Sequence, residues 1–436
     1  MKKILIIAIS ILLFWSCGSS KQEAGYIVPS PDRVVMYQVN PRVFADTLSL
    51  MAVIPQLDSI KSLGTNVVWI MPIYPIGLEK SKNSPYSVAD YCAVNPEFGS
   101  LDDFKILVDE CHKRGMAFIM DWVANHTAWD SKWIEEGHSD WYVQDSDGNI
   151  VYPVGTDWTD VADLNYDNKD MRQRMIESMI YWVRECGVDG FRCDVADMVP
   201  ADFWKECIDA IREAAGRPIL MLAEGNGPEN LISGFDLDYG WDYMHALRDV
   251  FCRDSSVLKL LRVNEKEYAL LPEGKFKLRF TTNHDEATKL STVSEFGGPQ
   301  GALAAYAATI YMNGAALVYG QQEVAYPQTI NFFNYTPVDW TANPDVRSEY
   351  RQMLHIFSEH PAIHGSDNIS FSTDDILALQ KGENYLVIVN VRPEAHEFPT
   401  PDGWAGVEIK DLRSGATIEL GENIALSKYQ YMLLMK

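Results

Sequence analysis

Four short segments carry the side chains able to do chemistry: DWVANH (121–126), GFRCD (190–194), LAEG (222–225) and FTTNHD (280–285). Each follows an apolar or β-branched run, and together they contribute Asp194, Glu224 and Asp285. Three carboxyl groups are the raw material of glycoside chemistry. A retaining glycosidase needs a carboxylate nucleophile and a carboxylic acid for the leaving oxygen about 5–5.5 Å apart. It also needs negative charge near the developing oxocarbenium ion. Arg192 precedes Asp194 by two residues and so shares its strand face. A guanidinium there favours the ionised carboxylate that a nucleophile requires. Glu224 follows the apolar run Ile219–Ala223, where desolvation and neighbouring anions would raise its pKa toward an acid's role. His126 and His284 can donate hydrogen bonds to sugar hydroxyls, and Tyr86 can stack on a sugar face. Taken singly these signals are weak, since a lone Asp at a strand end more often caps a helix. Their joint order along alternating units points to a common site.

Elements that deliver such residues to one place are legible in the hydropathy pattern. Strand-like runs fall at 34–40, 66–72, 117–123, 190–195, 219–225, 235–240, 277–283 and 315–321, separated by helical stretches such as 101–115 and 170–187. Sequential β/α alternation predicts a parallel sheet, and eight units over 33–365 predict an α/β fold of the (β/α)8 TIM-barrel type with its site at the C-terminal face. The connection 126–168 after the third strand is long and rich in Trp, Asp and Gly, which predicts a loop subdomain over that face. Its aromatic residues are candidates for walling a sugar cleft, several of them simply anchoring the loop. Short alternating runs from 366 to 436 predict a C-terminal antiparallel β-sandwich.

Composition narrows the partners. The 436 residues carry 61 acidic against 37 basic side chains, a net charge of −24. That balance repels phosphates and argues against a nucleic-acid partner. Lys2 and Lys3, an apolar run from Ile4 to Trp15, and Ser16-Cys17-Gly18-Ser19-Ser20 read as an export signal over 1–17, too short to span a membrane stably. Cys17 followed by a polar tether (18–32) resembles a bacterial lipoprotein signal with Cys17 lipidated, so the membrane is met only through a lipid anchor. Ordinary cleaved secretion is the alternative. Cys92, Cys111, Cys186, Cys193, Cys207 and Cys252 show no metal or CxxC spacing and read as buried free thiols. Alternation turns Cys193 away from the face that Arg192 and Asp194 share.

The four segments, in their order, resemble the four signatures of the α-amylase family, glycoside hydrolase family thirteen, and GTNVVWIMP, VADLN and ALVYGQQE resemble its secondary signatures. The resemblance covers nearly the whole mature chain. It implies Asp194 as nucleophile, Glu224 as acid/base and Asp285 as transition-state stabiliser. It implies His126, Arg192 and His284 as ligands of the sugar at the cleavage point, and Tyr86 of SPYSVADY as a stacking residue. It also implies a structural calcium ion, with Asn125 and Asp163 at the matching positions and the backbone carbonyl of Met198 standing in for a missing histidine's. A hard cation taking six to eight oxygens suits such a loop. The alternative is that Asp163 and Asn165 cap the helix that begins near Asp170.

The resemblance implies a starch-degrading hydrolase, cleaving α-1,4-glucosidic bonds of an α-glucan with retention. Two departures bear on specificity. Many α-amylases place Lys-His after the nucleophile segment where this chain reads VADM, and Gly225 follows Glu224 in place of a bulky residue. Both lie on the leaving-group side. A cyclodextrin- or pullulan-active maltogenic enzyme and an exo-α-glucosidase stand as alternatives within the family. Outside it stands a non-catalytic glycan-binding lipoprotein on a degenerate barrel. Oligomeric state is not legible in the sequence.

Overall fold

The computed structural model describes residues 26–436; the export signal and Cys17 lie outside the described residues. Eight parallel strands close a barrel: β1 (Val35–Val39), β2 (Val67–Ile70) and β3 (Ala117–Trp122) come first. After a ribbon of β4 (His126–Ala128) and β5 (Val161–Asp163) follow β6 (Gly190–Cys193), β7 (Leu220–Ala223), β8 (Leu237–Tyr239), β9 (Phe276–Arg279) and β10 (Ala315–Tyr319). The hydrogen-bonded order is β1-β10-β9-β8-β7-β6-β3-β2, closed on itself, with β4 and β5 paired separately. This is the predicted (β/α)8 architecture, and each predicted strand run overlaps one barrel strand, β9 starting one residue before its run and ending four before the run's end.

Period-two alternation divides each strand between two cores. Met36, Trp69, Ile119, Leu222, Leu237 and Leu278 fill the barrel interior. Val35, Val68, Met120, Phe191, Met221 and Val318 face the surrounding helices. Cys193 belongs to the outward set and is fully buried there, as alternation requires. The same parity points Gln38, Asp121, Arg192 and Glu224 to the inside. Interior layers near the strand starts are apolar; polar residues accumulate only toward the C-terminal ends.

The helices are amphipathic and capped by their own sequences. Lys169–Cys186 buries Met171, Met175, Met179 and Trp182 against the barrel and ends at Gly187 in the left-handed conformation. Asn168 accepts from the N–H groups of Asp170 and Met171, both at 3.0 Å, so it caps this helix, and Asp163 and Asn165 do not. Ser100 and Asp103 form a reciprocal capping box on Leu101–Lys113.

Beneath the barrel, Asp189 gathers four donors: Phe118 N–H at 2.7 Å, His112 at 2.8 Å, Tyr26 Oη at 2.7 Å and Arg217. Tyr26 also stacks on His112 with ring centroids 3.7 Å apart, so the end of the predicted tether is docked onto the fold.

Residues 368–435 form β11 (Asn368–Ser370), β12 (Ile376–Lys381), β13 (Tyr385–Asn390), β14 (His396–Pro399), β15 (Glu408–Asp411), β16 (Thr417–Glu419), β17 (Asn423–Leu426) and β18 (Tyr431–Met435). Six make one antiparallel sheet, and β14 with β17 makes a two-stranded ribbon. Phe398, Trp404, Ile424 and Leu426 pack on the Ile376, Ile388 and Leu434 face of the sheet. Leu377, Val387 and Leu433 on the other face join the barrel's outer core. The second layer is thus smaller than a full sandwich needs, because the barrel covers the remaining face. Buried Lys381 reinforces the junction, donating to the carbonyls of Gly365 and Met312.

Among the described residues no helix is long and apolar enough to cross a membrane, and all six cysteines are unpaired. Cys252 is exposed and Cys92 only partly covered, which corrects the expectation that all are buried. One glycine is required by the barrel itself. A Cβ on Gly190 would lie 1.8 Å from the Leu220 carbonyl oxygen, within the β6–β7 ladder. Gly190→Ala is expected to destabilise the fold by about 3 kcal/mol through overpacking, read as a lowered denaturation midpoint.

Candidate active site

Backbone ladders carry the site residues just past the strand ends. The Asp194 N–H donates to the Trp122 carbonyl at 2.8 Å and the Glu224 N–H to the Cys193 carbonyl at 2.9 Å. Asp285 follows β9 by a short loop in which Asn283 Oδ1 accepts from the N–H groups of Asp285 and Glu286. These residues meet Tyr86, His126 and His284 around one cavity of about 360 Å³ at the C-terminal end of the barrel.

Arg192 lies fully buried beneath that cavity. Its Nη1 donates to Asp121 Oδ1 at 2.8 Å and Asp194 Oδ1 at 2.9 Å, and Nε donates to Tyr239 Oη at 3.1 Å. Its Nη2 lies 2.7 Å from Glu224 Oε2. One guanidinium therefore serves three carboxylates, where the sequence pointed to a single pairing with Asp194. Burial pushes all three carboxyl groups up from their ordinary range, and Arg192 only partly opposes it. The charges of Asp194 and Asp285 add to the rise at Glu224.

Hydrogen bonds decide which group keeps a proton. Asp121 is the best supplied, accepting from Trp69 Nε1 and Tyr86 Oη at 3.1 Å each besides Arg192, so its ionised form is the most favoured. Glu224 Oε2 takes the Val195 N–H at 2.8 Å and faces Arg192, which makes it the charged end of the carboxyl. Its Oε1 meets no protein donor among the described residues and is the oxygen left to carry a proton. Asp194 Oδ2 is likewise free, while Oδ1 is held by Arg192.

The two histidines are neutral donors. Gln38 Nε2 donates to His284 Nδ1 at 2.8 Å, which leaves the proton on Nε2, 2.7 Å from Tyr86 Oη. Asn125 Nδ2 donates to His126 Nδ1 at 3.2 Å, which frees the Nε2 proton of His126 for the cavity. Burial pulls both imidazoles down to about 4. Tyr86 stacks on His284 at 5.4 Å while its ring still lines the cavity.

Several lining or supporting residues carried no sequence signal of their own. Asp121 and Gln38 are single polar residues in otherwise apolar strands. Phe332, Phe333, Ser84, Lys82 and Asp160 come from loops without periodicity. Lys82 Nζ reaches Asp160 Oδ1 at 3.1 Å, and buried Arg42 pins the Phe332 and Phe333 carbonyls at 3.1 and 3.0 Å. Of the loop aromatics only Trp158 faces the cavity; Trp133 and Trp141 pack on each other, and Trp122 lies behind the barrel.

The expected cation ligands are brought together in part. Asn125 and Asp163 lie on adjoining segments, the Asn125 carbonyl accepting from Leu164 N–H at 3.2 Å. Met198 is linked to neither by a hydrogen bond among the described residues; its N–H donates to the Val195 carbonyl and its side chain is exposed. No cluster of three or more His, Cys, Asp or Glu side chains suited to a metal occurs among the described residues. Asp163 is nevertheless pushed up to about 6 by burial, with no counter-charge beside it. One such carboxylate with the amide oxygen of Asn125 and peptide carbonyls fits a hard cation.

A family model for the alpha-amylase catalytic domain matches residues 38–359. Among curated relatives, Alpha-amylase 2 of Dictyoglomus thermophilum is 23% identical over 391 residues, covering 80% of this chain and 65% of that protein. Trehalose-6-phosphate hydrolase of Bacillus subtilis is 33% identical over 205 residues, 39% of this chain and 36% of that protein. The chain thus spans about one third to two thirds of the length of those relatives. Among solved structures, an alpha-amylase from Lactobacillus plantarum superposes with a TM-score of 0.84 at 27% identity, covering 93% of this chain and 99% of that one. A noncanonic maltogenic alpha-amylase from Thermotoga neapolitana gives the same TM-score at 24% identity, covering 94% and 99%. With the barrel, the carboxylates around Arg192 and the family model in agreement, the chain belongs to the alpha-amylase family.

Proposed function

We propose that this protein is a retaining glycoside hydrolase that cleaves α-1,4-glucosidic bonds in starch-like glucans or maltooligosaccharides. The observation that carries the reading is the division of labour on Arg192. Asp194 presents a free Oδ2 and Glu224 a protonated Oε1, both within one guanidinium's reach. Glu224 gives its Oε1 proton to the glycosidic oxygen as the C1–O bond breaks, and Asp194 Oδ2 bonds to C1 from the opposite face. Glu224, now ionised, takes a proton from water, whose oxygen attacks C1 and releases Asp194 and the sugar. Asp285 lends negative charge to the oxocarbenium-like transition state. Neutral His126 donates to a sugar hydroxyl from Nε2, and His284 does so only by giving up its bond to Tyr86 Oη; neither adds positive charge beside the reacting carbon.

Within the family, the cavity wall favours a second reading. The Lys82–Asp160 pair and the pinned Phe332–Phe333 segment bound the cavity, which suits short products released from chain ends. Relatives include proteins named Oligo-1,6-glucosidase and a maltogenic alpha-amylase. Maltoheptaose and soluble starch separate the readings: an endo enzyme yields mixed oligosaccharides at early times, an exo enzyme glucose or maltose alone. Asp194→Asn and Glu224→Gln should lower kcat by at least about 100-fold on either substrate. Sugar release equal to wild type from both variants would refute the mechanism.

The pH profile carries the same assignment. Glu224 is raised, so its proton persists into alkaline solution and activity falls only as pH passes its raised pKa. Asp194 is raised too, so the acid limb, where it becomes protonated, lies above the ordinary aspartate range. The bell of kcat/KM against pH is expected displaced upward on both sides.

The cation and export readings complete the proposal. A calcium ion at Asn125 and Asp163 would neutralise the half-buried carboxylate and tie the loop subdomain to β3. Chelator should lower the melting temperature of wild type, calcium should restore it, and Asp163→Asn should remove both responses. Equal melting with and without calcium would eliminate the site. Export with Cys17 as lipid anchor places the enzyme where extracellular or periplasmic glucan is met, and rests on the signal-like residues 1–20.

A further inference from the structure

The two departures on the leaving-group side, VADM and Gly225, meet in space. Asp197 Oδ1 accepts from Asn230 Nδ2 at 2.5 Å, and Asp197 Oδ2 accepts from the Asn226 N–H at 3.0 Å. A Cβ on Gly225 would lie 2.4 Å from Asp197 Oδ1 and 2.3 Å from Asn230 Nδ2. The carboxylate of Asp197 thus fills the space that a side chain at 225 would need. The two segments are also joined through their backbones, with Ala196 N–H donating to the Glu224 carbonyl at 2.8 Å.

Between these bonds lies Val195, whose φ is +36°. A β-branched residue in the left-handed region is strained and persists only when its surroundings impose it. The strained turn aims the Val195 N–H at Glu224 Oε2, 2.8 Å away. That bond marks Oε2 as the charged oxygen and leaves the proton on Oε1.

We propose that Asp197, locked against Gly225, Asn226 and Asn230, is a positioning residue for the acid/base Glu224. It clamps the turn after the nucleophile to the loop after the acid, and so holds Val195 in the conformation that orients the Glu224 carboxyl. The inference rests on the assignment of Glu224 as the acid. It also accounts for the absence of a bulky residue at 225, since the clamp and such a side chain exclude each other.

Leaving-group dependence separates this role from a merely structural one. A sugar leaving group needs its proton during bond cleavage, whereas 2,4-dinitrophenolate leaves without one. Asp197→Ala should lower kcat/KM for maltotriose about tenfold or more and that for 2,4-dinitrophenyl α-maltoside by less than about threefold. Asp197→Asn, isosteric but short of one acceptor, should show the same selectivity at smaller size and controls for folding. Gly225→Ala should reproduce the maltotriose defect in wild type, and its further cost in the Asp197→Ala background should be much smaller. Equal losses on both substrates, or fully additive effects of the two substitutions, would overturn the proposal. Neither result touches the assignment of Glu224, which fails only if Glu224→Gln turns over maltotriose as wild type does.

Discussion

A single guanidinium buried among carboxylates is the constraint around which the rest of this fold is arranged. An unpaired charge at the depth of Arg192 would be costly, and breaking a buried pair leaves an uncompensated charge. Asp121, Asp194 and Glu224 together over-compensate it, so the three cannot all ionise easily. The surplus negative charge, with burial, raises the carboxyl groups and so favours a proton in the site. The aromatic rings of Trp69, Tyr86 and Tyr239 lie 5.2–5.8 Å from the guanidinium carbon and favour its charged state. Catalytic polarity is in this sense a packing problem, solved by closing a barrel over the charges.

How much of this the sequence discloses depends on which residues obey a period. Barrel strands alternate, so the eight strand runs, the outward turn of Cys193 and the inward face of Arg192 follow from spacing alone. Asp194 and Glu224 stand at strand ends for the same reason, whereas β9 stops at Arg279 and the loop through Asn283 carries Asp285. Asp121 lies inside one of the quoted segments, yet nothing local distinguishes it from a strand-end cap; its role appears only when Trp69, Tyr86 and Arg192 converge on it. Gln38 is a lone polar residue in an apolar strand, and only its hydrogen bond to His284 explains it. Lys82, Asp160, Phe332 and Phe333 belong to loops, whose conformations depend on tertiary contacts such as those of Arg42 and carry no periodic trace.

Residues resembling the same signature can also have unrelated physical duties. Asn125 is both a cation-ligand candidate and the donor that sets the tautomer of His126, and one amide can do both because nitrogen and oxygen act separately. Asp163 does not cap the helix that follows, because Asn168 holds that role. Removing the capping role leaves a half-buried carboxylate with no counter-charge beside it, the one observation on which the proposed cation rests.

The leaving-group side shows why departures from a family pattern are best interpreted in space. Along the chain, VADM and Gly225 are two separate departures from the family pattern. In the fold they are one feature, because Asp197 Oδ1 and a Cβ at 225 compete for the same volume. A bulky residue after Glu224 would require a different residue at 197, and Asp197 requires glycine at 225. The space a side chain at 225 would take is thus filled by a clamp beside the Glu224 backbone, while Lys82, Asp160, Phe332 and Phe333, the last two held through their carbonyls by Arg42, line the cavity.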